Sequence, residues 1–259
     1  MKKNLNPTAL PLLILGLGGL GLSLRAWLYG TGLDASNLLV KGHPAGMLLW
    51  PVCLIALGLL AWQCRNFTGQ AKHSVLFPKS LPAAIGCWAA AVGILITALG
   101  DLMEHRDLLH ILCSIMGLLS FPALIYAGYC RMKDLRPSFL LHTAVCIFFA
   151  LRLACMGRDW SAEPQIQDFL FQLLAHVSLM LSAFYRACFD QSIGKRPTFV
   201  FFNLLAVFSC CLAIPASGLS LLYLTSGFWV YTNLCTLSPL PKAQKAPPAG
   251  EEAPPQEEA

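Results

Sequence analysis

Residues 100–110 read Gly100-Asp-Leu-Met-Glu-His-Arg-Asp-Leu-Leu-His110, a short polar segment between two long apolar runs. Six of its side chains can carry a charge, and such groups are costly inside a bilayer. The segment therefore marks the end of one predicted membrane span and the start of the next. Because so many titratable side chains lie beside apolar sequence here, we expect any functional site to be near this segment.

The composition of the chain is typical of a membrane protein. Of its 259 residues, 56% are hydrophobic and 12% are charged, whereas a soluble domain carries about 25% charged residues. The mean hydropathy of +0.62 agrees with this interpretation. The net charge of +5 comes from Lys and Arg residues scattered in small groups without interleaved aromatic residues. We therefore expect the lipid bilayer as a partner and no nucleic acid.

Eight apolar runs approach the length of about 20 residues that a membrane-spanning helix needs. They cover approximately residues 8–29, 45–64, 81–100, 108–130, 138–156, 167–188, 198–215 and 217–236. Pro215 and Gly218 predict a tight hairpin between the last two runs, and a single re-entrant or very long helix is the alternative. The first run is longer than the apolar core of a cleaved signal, which favours a retained helix. The predicted fold is all-α, a polytopic bundle of about eight transmembrane helices over residues 1–237.

The basic residues predict the orientation of these helices. With eight spans, 13 of the 18 Lys and Arg residues fall on one side of the membrane and three fall on the other. The remaining two, Arg25 and Arg152, lie inside apolar runs. Because Lys and Arg in short loops favour the cytoplasm, we predict a multi-pass protein of the cell membrane with both termini cytoplasmic. Residues 238–259, rich in Pro, Ala and Glu, cannot bury a core and are predicted to be a disordered cytoplasmic tail.

Polar side chains on three consecutive predicted helices lie near the outer side. The fourth helix has a polar face, the fifth carries an arginine about one turn inside its outer end, and the sixth has polar residues at every fourth position. This pattern predicts an outward-facing polar pocket between helices four, five and six. The candidate ligand-binding residues are Asp107, His110, Ser114, Arg152, Asp168, Gln172 and His176.

Simpler explanations exist for each of these residues. Asp107 and His110 could cap a helix end in the headgroup region, and Arg152 could extend outward to the headgroups. Gln172 and His176 could do no more than hydrogen-bond a neighbouring helix. An excess of acidic residues on the outer side is explained either by solvated loops or by a mouth that attracts cations.

The guanidinium of Arg152 is predicted to pair with an acidic side chain of the outer half, since a lone charge inside a span is costly. Asp168 is the first choice of partner, because consecutive helices five and six should be antiparallel neighbours whose outer ends meet. Asp107 is the second choice.

A metal site has weaker support. The candidate ligands are Asp101, Glu104, His105, His110 and His176, but no H-E-x-x-H or H-x-x-x-H pair occurs. The chain also lacks the G-x-S-x-G motif of a serine nucleophile. Its 11 cysteines include no C-x-x-C pair and are interpreted as small apolar packing residues. We expect no cofactor.

Three classes of function remain open. The first is a non-enzymatic membrane protein that binds, senses or transports a small polar or cationic solute through the outer pocket. The second is a structural or accessory membrane subunit, and the third is an intramembrane metal-dependent hydrolase. A parallel duplication of four plus four helices would favour transport. Its only support is the similar position of Arg25 and Arg152, each five residues before a glycine.

Overall fold

The computed structural model describes residues 9–33, 39–40, 42–64, 77–104, 107–159, 169–216 and 218–237. Within these ranges the regular structure is helical, as predicted. The helices are α1 (Ala9–Thr31), α2 (Pro44–Cys64), α3 (Leu81–Glu104), α4 (Leu108–Lys133), α5 (Phe139–Asp159), α6 (Leu170–Asp190), α7 (Arg196–Ala213) and α8 (Ser220–Cys235). The predicted tail lies outside the described residues.

Seven of these helices, α1 to α7, are long and apolar enough to cross a membrane. Helix α8 has 16 residues and is shorter than the others. The coarse prediction of an all-helical bundle suited to a membrane is therefore confirmed. The number of spans and the cytoplasmic location of the termini stay predictions. We use "outer end" for the end of the bundle where α3 and α5 finish and where α6 and α8 begin.

Six of the helices form a closed ring. Each helix from α3 to α7 packs against the next, and α8 packs back against α3. Helices α1 and α2 lie outside this ring: α1 packs mainly against α7, and α2 packs mainly against α1 and less extensively against α7. Helix α7 is consequently the most buried of the seven. Helices α1 and α5 thus occupy different positions, so the packing gives no support to a duplication of four plus four helices.

Glycines allow close approach between helices of the ring. A Cβ atom on Gly117 of α4 would lie 2.6 Å from the Cβ of Ala98 on α3. A Cβ atom on Gly86 of α3 would lie 2.1 Å from Oγ1 of Thr232 on α8. Both distances are too short for real contacts, so a side chain at either position would force a neighbouring atom to move. Helices in lipid associate chiefly through such close van der Waals packing.

The turn between α7 and α8 closes one side of the outer end. A 3-10 turn over Ile214–Ala216 follows α7 directly, and α8 begins at Ser220. The Ser220 hydroxyl donates to the carbonyl oxygen of Ile214 at 2.7 Å. The predicted hairpin is confirmed. It brings the start of α8 beside the ends of α3 and α5, a position that the sequence did not indicate.

The cysteines agree with the packing interpretation. The ten whose side chains the structure describes are free thiols, and each is buried or half-buried. Cys113 on α4 and Cys210 on α7, for example, belong to the apolar core of the bundle.

Candidate functional site

A cavity of about 520 Å³ opens at the outer end, between α3, α5, α6 and the turn before α8. Its volume falls in the range of small-molecule sites, about 300–1,000 Å³. One part of its wall is polar and includes three carboxylates and one guanidinium. The polar lining residues are Thr97, Asp101, Glu104, Arg152, Asp159 and Gln172. The larger apolar ones are Ile96, Met156, Phe169, Leu219, Leu221 and Leu222.

A buried ion pair between Asp101 and Arg152 forms the inner part of the polar wall. Arg152 is 8% exposed and Asp101 is 6% exposed. The Nη1 atom of Arg152 donates to Oδ2 of Asp101. The Nε atom of Arg152 donates to no acceptor in the described part of the chain.

The prediction that Arg152 pairs with an acid of the outer half is confirmed, but its partner is Asp101. The first predicted partner, Asp168, lies outside the described residues, and the second, Asp107, contacts Arg158 instead. Reasoning from consecutive helices favoured α6 as the source of the acid. The closed ring instead places α3 within reach of the long Arg152 side chain.

A second, more exposed cluster joins the outer ends of α4 and α5. Arg158 Nη2 lies 2.5 Å from Oδ2 of Asp107 and 3.2 Å from Nδ1 of His110. His110 Nε2 lies 3.3 Å from Oδ2 of Asp159, which also lines the cavity. The Arg158 and Asp107 side chains are 47% and 60% exposed, so solvent screens their attraction strongly.

The polar face of α4 packs between helices and does not line the cavity. His110 and Ser114 are both buried, and the Ser114 hydroxyl donates to the His110 carbonyl oxygen at 2.9 Å. Gly117, on the same face, contacts α3. The sequence placed the pocket between helices four, five and six, whereas the cavity lies between α3, α5, α6 and the start of α8. Among the described residues, the contact of His110 with Asp159 connects α4 to the cavity wall.

The polar face of α6 is buried below the cavity. Gln172 lines the cavity, and His176 lies one turn deeper and is fully buried. His176 Nδ1 lies 3.0 Å from the Gln172 carbonyl oxygen and 3.2 Å from the Tyr223 hydroxyl on α8. Both sequence-predicted residues are therefore held inside the ring rather than turned toward lipid.

Several cavity residues were missed or given another role by the sequence reasoning. Asp159 was not among the predicted site residues, and Glu104 was predicted only as a weak candidate metal ligand. Thr97 on α3 and Leu222 on α8 lie within apolar runs, and such a run does not reveal which of its faces meets a cavity. The one feature of the sequence that indicated α3 as part of the site was the polar segment that follows Gly100.

A buried polar network lies at the opposite end of the bundle. Nδ1 of His142 lies 2.6 Å from Oδ2 of Asp190, and both side chains are almost fully buried. Arg186 Nε is 4.0 Å from Oδ1 of the same carboxylate, and Arg136 Nε donates to the Asp190 carbonyl oxygen at 2.6 Å. These groups tie α5, α6 and the loop after α4 together, so we interpret the network as structural.

No metal centre is formed by the part of the chain that the structure describes. Within it, no three His, Cys, Asp or Glu side chains lie close enough together to hold an ion. Asp101, Glu104, His110 and His176 therefore do not converge, and the fifth candidate ligand, His105, lies outside the described residues.

No protein-family model, curated protein or solved structure matches the chain. The structure itself defines the class, a helical bundle whose long apolar helices suit a membrane.

Proposed function

We propose that this chain is a multi-pass protein of the cell membrane that binds a small polar or cationic solute for sensing or transport. The cavity at the outer end carries the proposal, because it combines solute-sized volume with carboxylates on two different helices. In the predicted orientation, with both termini cytoplasmic, this cavity faces the outside of the cell.

The charges around the cavity favour a cation. Asp101 is already matched by Arg152. Glu104 is exposed at the end of α3, and Arg158 contacts both Asp159 and Asp107. The described outer end thus has more carboxylates than guanidinium groups. Walls of low dielectric concentrate the field of such charges and raise the local concentration of cations.

An accessory subunit without a ligand of its own is the second class that the sequence left open. Such a protein would present its polar stripes to a partner on the outside of the bundle. Here Asp101, Arg152, Gln172 and His176 are all buried inside the ring. The direction of these side chains favours binding within the bundle.

Binding can be tested with the full chain purified into lipid nanodiscs. Methylammonium, choline and putrescine are added separately, and thermal unfolding is followed by tryptophan fluorescence against sodium chloride of equal ionic strength. We expect at least one of these cations to raise the melting temperature in a saturable way, because a ligand that binds only the folded state stabilises it.

Charge-neutralising variants connect the signal to the cavity. Glu104→Gln and Asp159→Asn should each weaken binding about fivefold, the effect of losing about 1 kcal/mol from one partly solvated charge. Asp134→Asn is the matched control: it removes the same charge from an exposed residue at the other end of the bundle. A saturable signal from none of the cations, or equal weakening by Asp134→Asn, would reject a cation site in this cavity.

A further inference from the structure

We infer that the ligand of the outer cavity is an amphiphile with an ammonium headgroup and a hydrocarbon chain, which enters from the membrane between α3 and α8. This inference rests on the proposed function, which supplies the cation, and adds the chain and the route of entry. Its basis is a gap between the two helices at the outer end.

Helices α3 and α8 are in close contact over their inner and middle parts. An added Cβ atom would overlap the Oγ1 atom of Thr232 if placed on Gly86, and the Oγ1 atom of Thr225 if placed on Gly93. The partner on α8 thus moves back by seven residues as α3 advances by seven, so the two helices are antiparallel. Such glycine contacts hold two backbones close together and leave no room for a ligand between them.

The two helices separate further out. Gly100 follows Gly93 by two turns and points in nearly the same direction, yet a Cβ atom on Gly100 would have no described atom within 4 Å. Continuing the antiparallel register, the residue opposite Gly100 is Gly218, which precedes the start of α8 at Ser220. Both glycines line the cavity. The gap therefore exists because α3 continues beyond the level at which α8 begins.

The gap opens onto the apolar outer surface of the bundle. Ile96 of α3 and Leu221 of α8 both line the cavity, although they are 49% and 42% exposed. They belong to two stripes of exposed apolar residues, Ile85, Val92, Ile96 and Met103 on α3 and Leu221, Leu224 and Phe228 on α8. In a bundle suited to a membrane such stripes face the acyl chains of the lipid. The cavity therefore has a lateral opening toward lipid as well as its mouth at the outer end.

The lateral opening lies at the depth of one leaflet. Ile96 precedes Glu104, the last residue of α3, by eight residues, which is about 12 Å along the helix axis. Half of the hydrocarbon core of a bilayer is about 15 Å thick. With Glu104 at the level of the headgroups, the opening faces the acyl chains of the outer half of the membrane.

The charged wall and the apolar wall suit the two parts of an amphiphile. Glu104 and Asp159 line the cavity and are exposed near its mouth, where an ammonium group gains contact with carboxylates. Leu221 and Leu222 provide apolar contacts for a chain that continues into the lipid. A small cation such as methylammonium uses only the charged wall, whereas an amphiphile covers both.

Cations that differ only in chain length test the inference. The full chain in nanodiscs is titrated with tetramethylammonium and with octyltrimethylammonium, and binding is followed as a saturable rise in melting temperature. Equilibrium dialysis gives the free aqueous concentration of each cation. We expect octyltrimethylammonium to bind about tenfold more tightly or better on this scale, because its chain stays in apolar surroundings when it is bound. Octyl sulfate, which has the same chain and an anionic headgroup, should give no saturable rise.

The possible results separate this inference from the proposed function. If the cavity opens only to water, the chain must leave the bilayer before the headgroup binds, and octyltrimethylammonium binds no more tightly than tetramethylammonium. That result would overturn the inference and leave the cation site intact. The absence of binding by both cations would overturn both statements, as would equal binding of octyl sulfate.

Filling the lateral opening tests the route of entry. The side chain introduced by Gly100→Leu enters the open space beside α8, so the advantage of the octyl compound should fall to less than about threefold. Gly58→Leu is the matched control: Gly58 of α2 also has no described atom within 4 Å of an added Cβ, but it does not line the cavity. Its octyl advantage should equal that of the wild type. Partitioning into the bilayer is the same for all three proteins, so an undiminished advantage in Gly100→Leu would overturn the inference.

A change to the charged wall shows whether both cations occupy the same site. Glu104→Gln should weaken tetramethylammonium and octyltrimethylammonium by the same factor, because both headgroups use this carboxylate. Octyltrimethylammonium that is unaffected by Glu104→Gln binds elsewhere, which would overturn the inference. Should Gly100→Leu fail to fold, the chain-length comparison on the wild-type protein still decides the question.

Discussion

Removing one partner of the ion pair between Asp101 and Arg152 should lower the free energy of unfolding by about 3 kcal/mol. Breaking a buried pair generally costs about 3–5 kcal/mol, because the remaining charge has no compensation. We take the lower end of that range because both residues also line the cavity, which admits water to one side of the pair. Asp101→Asn and Arg152→Met retain most of each side chain's volume while removing its charge.

The two substitutions should not be additive. Each single variant leaves one buried charge, whereas the double variant leaves none, so the double loss should be smaller than the sum by about 2 kcal/mol. Unfolding by sodium dodecyl sulfate in mixed micelles, followed by tryptophan fluorescence, measures all four corners of the cycle. Arg158→Met is the control: its side chain is 47% exposed, and breaking its pair with Asp107 should cost no more than about 1 kcal/mol. Strict additivity to within about 0.5 kcal/mol, the error usual for independent sites, would refute the pairing.

Three further predictions concern topology and packing. Reporter fusions at Ala259 and directly after Gly30 should report opposite sides of the membrane, and a shared side would contradict the predicted eight spans. Gly117→Ala should destabilise the bundle by about 1–3 kcal/mol, because the new methyl group meets the Cβ of Ala98, which cannot rotate away. The control is Gly58→Ala, which has no atom within 4 Å of the new Cβ and should be nearly neutral in the same unfolding assay. His142→Phe should cost about 3 kcal/mol because it leaves a buried carboxylate without its closest partner, and an unchanged midpoint would show that the inner network does not stabilise the fold.

The apolar runs of the sequence locate the helices because a membrane span needs a known length of apolar residues. The run ending at Gly100 nevertheless continues as helix to Glu104. Backbone hydrogen bonds within a helix do not require apolar side chains, so a helix can extend past the apolar run. The polar segment thus indicated the right region of the site, although the sequence did not place Asp101 on the helix.

The arrangement of the helices around the cavity could not be read from the sequence. Which faces meet depends on close contacts such as that between Gly117 and Ala98, and an apolar run contains many small residues that make no such contact. A Cβ atom added to Gly58, for example, would have no neighbouring atom within 4 Å. The polar face of α4 correctly indicated side chains buried between helices, but it did not indicate which residues line the cavity. The same pattern of residues serves packing between helices and the lining of a pocket.

The position of α1 and α2 outside the ring has a consequence for how the chain assembles in the membrane. Both helices precede the ring in the chain and are synthesised before it, yet α7, the ring helix against which they pack, is synthesised only after α3 to α6. Until then the pair must remain in lipid without its partner. The sequence of α2 suits this, since Pro44–Cys64 contains no charged residue and exposes large apolar side chains on several faces. Helices α3 to α6 pack as consecutive neighbours while synthesis continues, and α8, which follows α7 in the chain, closes the ring against α3.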